Sequence, residues 1–204
     1  MKKIILLIFI PIFCVSQKYK VSEAKTSFFS YAPLENITAF SEDLQGIIDL
    51  NTGEFFFRLP IKSFMFKRSL MQTHFNDKYM ESDNFPHSTF KGQSDKLKEE
   101  IESIINKLNT NLSEEKDTSI ISKQMSRFFN QGFLIEGLLN IHGEEKSLKT
   151  KVVISLEKNE IKFFTIFFVE TDDYNIKIPK LLKDNISKKI EVKVAGSLKE
   201  FKVE

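Results

Sequence analysis

Three histidines, His74, His87 and His142, are the residues of this chain with the greatest capacity for chemistry. Three imidazoles could together bind a zinc ion. However, His74 falls on a predicted helix, His87 follows a proline near a predicted strand, and His142 lies at a predicted turn, so no two have the spacing of metal ligands. A contact with Asp77, three residues along the helix, accounts equally well for His74. We therefore expect surface or hydrogen-bonded histidines, with no metal and no cofactor.

Other catalytic patterns are weak in this sequence. The acidic pairs Glu99–Glu100, Glu114–Glu115 and Glu144–Glu145 are adjacent in the chain, so their carboxylates point in different directions and do not form acid/base dyads. The sequence has neither a glycine loop for phosphate nor a G-x-S-x-G nucleophile motif. We expect a protein that is not an enzyme. A hydrolase or isomerase that acts on an envelope lipid through His74 or His142 is the alternative.

The composition contains one anomaly. The 204 residues are 41% hydrophobic and 28% charged, as in a globular protein, and the net charge of +2 does not favour nucleic acid as a partner. Phenylalanine, however, occurs 21 times, while tryptophan is absent. This surplus indicates either a phenylalanine-rich core or a cavity lined by Phe, Ile and Leu that binds an acyl or isoprenoid chain. Each buried methylene of such a ligand would contribute about 0.8 kcal/mol.

Residues 1–16 have the pattern of a secretory signal peptide, in which two lysines precede an apolar run that ends at Phe13. The run is too short to form a stable membrane-spanning helix. Cleavage after Ser16 would remove the single cysteine, Cys14, and would leave a neutral mature chain that is periplasmic or secreted. Lipidation of Cys14 is disfavoured, because Phe13 occupies a position where a lipoprotein signal has a small residue.

Most of the remaining chain alternates between apolar and polar residues with the period of two that is typical of strands. Residues 44–62 predict a hairpin around an Asn-Thr-Gly turn, with an edge or bulge at Pro60. Residues 161–169 are apolar on both faces, which predicts a strand covered on both sides. About eight short strands favour an all-β fold, either an antiparallel barrel or a sandwich. The other strands are expected near residues 64–66, 88–91, 133–140, 148–156 and 190–194.

A short helix is predicted after the hairpin. Residues 69–72 read as a capping box that opens the helix, and Phe85–Pro86 would end it. Met71, Phe75 and Tyr79 follow one another at four-residue spacing, so they would line one side of this helix.

A second helix is predicted where apolar residues recur at helical spacing from residue 97 to residue 108. Because this region cannot bury a core alone, we interpret residues 94–130 as a helical and loop insertion within one barrel domain, residues 17–204. The helix would either cover one mouth of the barrel or pack outside it.

Two segments resemble the YceI-like family. The first, residues 63–86, has the sequence SFMFKRSLMQTHFNDKYMESDNFP and is followed by Thr-Phe-Lys-Gly. The second, residues 135–146, has the sequence IEGLLNIHGEEK and is similar to the family's glycine-x-leucine-x-x-histidine-glycine-x-x-lysine segment. Residues 174–179 and 190–194 fit the family's last arm. The sequence departs from the family pattern at Asn140, at Glu144–Glu145 and in the length of the insertion.

The resemblance implies an eight-stranded, antiparallel, lipocalin-like barrel that is exported in bacteria. Some members of the family hold a polyisoprenoid or another amphiphile in the lumen. The leading hypothesis is therefore an exported binding protein for a long apolar or amphiphilic ligand of the isoprenoid or lipid type. The residues expected to face the lumen are Phe55, Phe57, Leu59, Ile61, Phe66, Val152, Ile154, Leu156, Phe163 and Phe167.

An alternative hypothesis is a filled barrel that binds no ligand and acts through its surface on another envelope protein. The feature behind it is the insertion at residues 94–130, which a barrel does not need for closure. A homo-oligomer is compatible with the sequence as well.

Overall fold

The computed structural model describes residues 17–31, 36–109, 132–179 and 186–201. These residues contain ten strand segments and two α-helices. The helices are α1 (Ser69–His74), which continues into a π-helical turn at Phe75–Tyr79, and α2 (Asp95–Asn109). The predicted signal peptide at residues 1–16 lies outside the described residues. The strands are β1 (Lys18–Ser30), β2 (Ile37–Ser41), β3 (Gln45–Asp49), β4 (Glu54–Pro60), β5 (Met65–Phe66), β6 (His87–Gln93), β7 (Phe133–Ile141), β8 (Glu144–Glu157), β9 (Glu160–Glu170) and β10 (Lys189–Phe201).

The sheet closes on itself. Paired strands are antiparallel, and β10 pairs with β1 from Lys18 opposite Phe201 to Ser30 opposite Ile190. The other edge of β1 pairs first with β3 and then with β2, so these two segments share one strand position, and β4 and β5 share the next position. The ten segments therefore form an eight-stranded antiparallel barrel. This confirms the all-β prediction and excludes the sandwich.

Strands β1 and β2 are not evident from the sequence pattern. A register shift between Val21 and Glu23 marks a bulge in β1, and the bulge interrupts the alternation of side chains. Beyond the bulge, the inward positions are Thr26, Phe28 and Ser30, of which two are polar. A period of two is present in this strand, but it does not coincide with an alternation of apolar and polar residues.

The predicted hairpin is confirmed as far as Pro60. Gly53 in its turn has a φ of 74°, a left-handed conformation that glycine adopts without steric cost. After Pro60 the chain forms a 3₁₀ turn at Ile61–Ser63, where a strand was predicted to continue through a bulge. Proline has no N–H for the ladder, and the Ser63 hydroxyl donates a hydrogen bond to the Pro60 carbonyl at 2.6 Å, which stabilises the turn.

Helix α1 is present, but the predicted capping box is wrong. Ser69 is the first helical residue, whereas Arg68 takes the N-cap position and makes no side-chain capping bond. The amide oxygen of Gln72 accepts a hydrogen bond from the Phe66 N–H at 3.5 Å. Gln72 therefore ties α1 to β5, where a capping box would have directed it to the start of its own helix.

The π-helical turn after α1 widens the helix by one residue. The Met80 N–H donates to the Phe75 carbonyl at 2.8 Å, five residues back. As a result Phe75, Tyr79 and Met80 all face the interior of the barrel, together with Met71. The predicted shared side of Met71, Phe75 and Tyr79 is confirmed.

Helix α2 covers one end of the barrel. Leu97, Ile101 and Ile104 are buried in the main hydrophobic core, and Ile101 has no exposed surface. The hydroxyl of Ser94 accepts a hydrogen bond from the Leu97 N–H at 3.2 Å, which caps the start of the helix. The helical part of the predicted insertion thus packs into the domain. Its continuation at residues 110–131 lies outside the described residues.

The outer face of β9 is only partly covered. Phe163 is buried inside the barrel, and Phe164 is buried on the outside in a small cluster with Val153. Phe168, also on the outside, is 49% exposed, although the ammonium group of Lys189 lies 4.5 Å from its ring centroid. The prediction of cover on both sides is wrong at Phe168, because about half of this side chain stays exposed despite its contact with Lys189.

Candidate ligand-binding cavity

A cavity of about 570 Å³ lies inside the barrel. Leu97 of α2 lies at its closed end. At the opposite end the cavity reaches the surface beside α1, because Leu70 both lines it and is 65% exposed. The volume falls within the range of about 300–1,000 Å³ that is typical of small-molecule sites. We call the end beside α1 the mouth.

Alternation along the strands gives the cavity its apolar wall. On β8 the inward side chains run from Leu148 through Thr150, Val152 and Ile154, and on β10 Val192 and Val194 do the same. The Thr150 hydroxyl is bonded to the Thr165 hydroxyl at 2.9 Å, and Thr165 donates to the Lys151 carbonyl at 2.8 Å. The polar atoms of this pair are thus satisfied within the wall.

The closed end is filled by aromatic rings. Phe55 lies 5.1 Å from Phe90 and 6.1 Å from Phe57, centroid to centroid, and Phe57 lies 6.2 Å from Phe163. These rings belong to the same core cluster as Leu97 of α2. We call the rings of Phe55, Phe57, Phe90 and Phe163 the plug, because they fill the barrel at the closed end of the cavity. Part of the phenylalanine surplus therefore fills the core, while another part lines the cavity.

A second group of rings lies toward the mouth, with Phe75 at its centre. The Phe75 ring stacks on Phe28 at 5.5 Å and contacts Phe66 at 5.0 Å and Phe64 at 5.6 Å. All four of these residues line the cavity. The π-helical turn therefore fastens the segment after α1 to β1 and β5 by aromatic contacts.

The predicted lumen residues are placed as follows. Phe55 and Leu156 do not line the cavity, because they pack into the core at the closed end. The other eight line it: Phe57, Leu59, Ile61, Phe66, Val152, Ile154, Phe163 and Phe167.

The sequence analysis did not predict that β1 and the segment after β5 contribute side chains to the cavity wall. Phe28 was overlooked because its strand was not recognised. Phe64, Arg68, Leu70 and Phe75 lie in the segment whose motif carries the family resemblance, so the motif was a signal that these residues could surround the mouth.

The three histidines are far from equivalent. His74 lines the cavity near its mouth, whereas His87 is the residue of β6 paired with Pro60. His142 does not line the cavity: its Nδ1–H donates to the Tyr174 carbonyl at 3.0 Å, and its Nε2 lies 3.5 Å from a Glu81 carboxylate oxygen. Within the described residues, no three His, Cys, Asp or Glu side chains converge as a metal site would require.

Few ionisable groups reach the cavity. Among the described lining residues, Arg68 and His74 are the side chains that can carry a positive charge, and no carboxylate lines the cavity. Tyr79 also lines it, and burial raises the pKa of this phenol above its ordinary value. The wall is therefore neutral and mostly apolar, with its cationic groups confined to the segment beside the mouth.

The positions that depart from the family pattern are all engaged in contacts. The Asn140 carbonyl accepts a hydrogen bond from the Ser88 hydroxyl at 2.8 Å. Glu144 accepts one from the Asn175 side chain at 2.7 Å, and Glu145 forms an ion pair with Lys91 at 2.9 Å.

No helix in the described part of the chain is both long and apolar enough to cross a bilayer.

Comparison with known proteins identifies the family. A family model described as a YceI-like domain matches residues 19–198. The chain belongs to the YceI-like family. A comparison with curated proteins returned no match.

Solved structures similar to this YceI-like chain share its fold. A polyisoprenoid-binding domain from Saccharophagus degradans has a TM-score of 0.62 at 14% identity, over 90% of this chain and 98% of that one. BcnA from Burkholderia cenocepacia has a TM-score of 0.60 at 10% identity, over 86% and 96%. The YceI protein of Campylobacter jejuni has a TM-score of 0.54 at 13% identity, over 85% and 90%. The lipocalin-like barrel expected from the resemblance is thus confirmed.

Proposed function

We propose that this YceI-like protein binds a long apolar or amphiphilic molecule of the isoprenoid or lipid type inside its barrel. The observation that carries the proposal is the cavity of about 570 Å³, which remains open between the aromatic plug and the mouth. Burial of each ligand methylene contributes about 0.8 kcal/mol, so a chain of about ten carbons supplies several kcal/mol after association costs. The polyisoprenoid-binding domain with the same fold supports this choice of ligand class.

Export is a further part of the proposal, and it rests on the signal-like residues 1–16. A protein outside the cytoplasm would carry such a ligand between or beside membranes. N-terminal sequencing of the protein from the periplasm and the medium of its native host tests this part. We expect a mature chain that begins after Ser16, and an intact N-terminus on a protein found only in the cytoplasm would contradict it.

Ligand binding is tested with geranylgeraniol, a C20 isoprenoid alcohol, by equilibrium titration of the delipidated protein. Val192 lines the cavity and its neighbour Lys193 does not, so Val192→Phe and Lys193→Phe add a ring at adjacent positions on β10. We expect Val192→Phe to weaken binding at least tenfold and Lys193→Phe to leave it unchanged. Saturable binding that both variants retain in full would place the ligand elsewhere and overturn the proposal.

Material from the native host supplies an independent test. Organic extraction and mass spectrometry of the purified protein should recover a long-chain molecule in stoichiometric amount. Repeated recovery of protein without such a molecule, together with no binding of geranylgeraniol, would refute the binding function.

A filled barrel that acts through its surface on another envelope protein stays the alternative proposal. Leu97, Ile101 and Ile104 of α2 are buried in the core, so the described part of the insertion at residues 94–130 also serves the packing of the domain.

A further inference from the structure

The closed end of the cavity is formed by strands and a helix together. Phe57 of β4 and Phe163 of β9 line it, and their ring centroids lie 6.2 Å apart. Leu97 in the first turn of α2 lines it as well, and all three residues belong to the main hydrophobic core. We call these three side chains the floor. A ligand chain that enters through the mouth would meet the floor with its far end.

Backbone contacts fix the level of Leu97 in the barrel. The Ser94 N–H donates to the Gly53 carbonyl at 3.0 Å, and the Ser94 hydroxyl accepts a hydrogen bond from the Leu97 N–H at 3.2 Å. The ammonium group of Lys98 donates to the Asn51 carbonyl at 3.4 Å. The start of α2 is therefore tied to the β3–β4 turn, and Leu97 is held at a defined depth.

The depth of the cavity follows from strand geometry. The side chains that line it extend from Phe163 to Val169 on β9 and from Leu148 to Ile154 on β8, so each row covers six residue steps. At about 3.3 Å per residue, such a row is about 20 Å long. A strand tilt of about 40° reduces this length to about 15 Å along the barrel axis. An extended carbon chain with bonds of about 1.5 Å advances about 1.25 Å per carbon, so about twelve carbons span the cavity.

Depth limits a single extended chain more strictly than volume does. At about 30 Å³ for each non-hydrogen atom, the share of one molecule in liquid water, the cavity of about 570 Å³ holds about nineteen such atoms. An extended chain therefore reaches the floor before it fills the space. Its further carbons remain outside the mouth, beside the exposed Leu70.

We infer that Leu97 determines specificity for chain length, because the floor limits a bound amphiphile to about twelve carbons inside the barrel. This inference rests on the proposed function, since it names the chain length that the same cavity accepts. Each methylene buried above the floor should tighten binding about fourfold. A methylene beyond that length stays in water and adds little. Affinity should therefore rise with chain length up to a break and then level off.

The series of n-alkyl maltosides from octyl to hexadecyl tests for the break, because an uncharged sugar head is too polar to enter the apolar barrel. Equilibrium titration of the delipidated protein, below the aggregation concentration of each maltoside, gives the Kd values. We expect the wild-type Kd to fall about fourfold per methylene as far as dodecyl maltoside. The ratio of the dodecyl Kd to the tetradecyl Kd should stay below about two, because the added carbons find no further apolar surface.

Leu97→Ala removes three carbons from the floor and should move the break to chains about two carbons longer, so the dodecyl-to-tetradecyl ratio should rise to at least about five. The matched control is Ile101→Ala, which removes three carbons one turn further along α2. Ile101 is completely buried but does not line the cavity, so the ratio should match the wild type. Leu97→Val, a smaller change, should give an intermediate ratio and serves as the second variant if Leu97→Ala fails to fold.

The outcomes separate this inference from the proposed function. If wild-type affinity keeps rising at the same rate through hexadecyl maltoside, or if Leu97→Ala leaves the break in place, the chain-length inference falls while ligand binding stands. An equal shift in Ile101→Ala would also overturn it, since the break would then depend on the general packing of α2. If geranylgeraniol binds and no maltoside does, the inference falls alone. If neither the maltosides nor geranylgeraniol bind, both proposals fail.

Discussion

The ring of Phe163 on β9 lies directly over Gly196, the residue paired with it on β10. A methyl group at Gly196 would lie 2.7 Å from Cε1 of that ring and 2.6 Å from the backbone carbonyl oxygen of Glu23. Phe57 covers its partner Gly46 in the same way, but there only the ring is in contact, with Cδ1 at 2.2 Å from such a methyl group. The glycines thus allow the rings of the plug to lie flat against the barrel wall.

The Gly46–Phe57 and Gly196–Phe163 pairs should respond differently when the glycine is replaced by alanine and the phenylalanine is then shortened to leucine. We expect Gly46→Ala and Gly196→Ala each to lower the free energy of unfolding by about 1–3 kcal/mol through overpacking. Phe57→Leu should rescue much of the loss at Gly46, because the ring is the only obstacle there, whereas Phe163→Leu should rescue Gly196→Ala less, because the Glu23 carbonyl remains. Urea unfolding of the double-mutant cycles measures both couplings, and additive effects in the Gly46–Phe57 pair would contradict the interpretation.

Helix α2 should contribute strongly to stability. Ile101 is completely buried between the helix and the barrel, so Ile101→Ala should cost about 2–4 kcal/mol of unfolding free energy. The control, Ser103→Ala, changes an exposed residue of the same helix and should stay within about 0.5 kcal/mol of the wild type. Denaturant unfolding monitored by circular dichroism gives both values. Equal stability of the two variants would mean that α2 does not form part of the core.

The hydrogen bond from His142 to the Tyr174 carbonyl connects the β7–β8 turn with the segment after β9. His142 has a φ of 52°, which asparagine tolerates better than alanine. The His142→Asn variant therefore keeps the turn, but its side chain is too short to reach the Tyr174 carbonyl. We expect its free energy of unfolding to fall by about 1 kcal/mol. His142→Ala should lose more, since it combines the lost bond with a strained turn. Thermal unfolding should give a lower melting temperature for His142→Ala than for His142→Asn. An alanine variant that is the more stable of the two would refute this prediction.

The ion pair between Asp49 and Lys18 should give a pH-dependent contribution to stability. Burial raises the pKa of the Asp49 carboxyl, but the hydrogen bond from the Asn51 amide and the Lys18 ammonium at 3.5 Å outweigh burial and leave the pKa below its ordinary value. A lowered pKa in the folded state stabilises the protein above the unfolded-state value of about 3.9, and this stabilisation is lost as the pH falls through the folded-state pKa.

Asp49→Asn keeps an oxygen that can accept the bond from the Asn51 amide and removes only the charge. We expect it to cost about 0.5–1 kcal/mol at neutral pH. The difference from the wild type should disappear as the pH falls from neutral through the lowered, folded-state pKa of Asp49. Asp83→Asn is the control, because the Asp83 side chain is 84% exposed in its pair with Lys62. Urea unfolding across this pH range measures the difference, and a difference independent of pH would contradict the assignment.

Much of the barrel was predictable because local patterns carry the necessary information. The alternation along residues 148–156 places Val152 and Ile154 on one face whatever the tertiary structure, and the turns at His142–Gly143 and Lys158–Asn159 take the left-handed backbone that such sequences favour. Helix α2 follows from its apolar spacing alone. Strand β1 was not predictable, because a bulge and the inward Thr26 and Ser30 hide its period.

The candidate site shows where sequence patterns stop being informative. Side-chain parity determines which face of a strand a residue occupies, but not its height along the barrel axis. Phe55 and Phe57 have the same parity, yet Phe55 packs into the closed end and only Phe57 borders the cavity. Height depends on the pairing register between distant strands and on how deeply α2 enters the barrel, and neither is a local property.

For this protein, the amino-acid sequence by itself determined the all-β class, the hairpins, the amphipathic helix and the YceI-like family membership, because each depends on short-range periodicity or on contiguous motifs. Tertiary structure alone decided that the phenylalanines divide between a plug and a cavity wall, and that Phe75 after α1 stacks on Phe28 of β1. Both results require strands far apart in the chain to close into one barrel around a space that no local pattern describes.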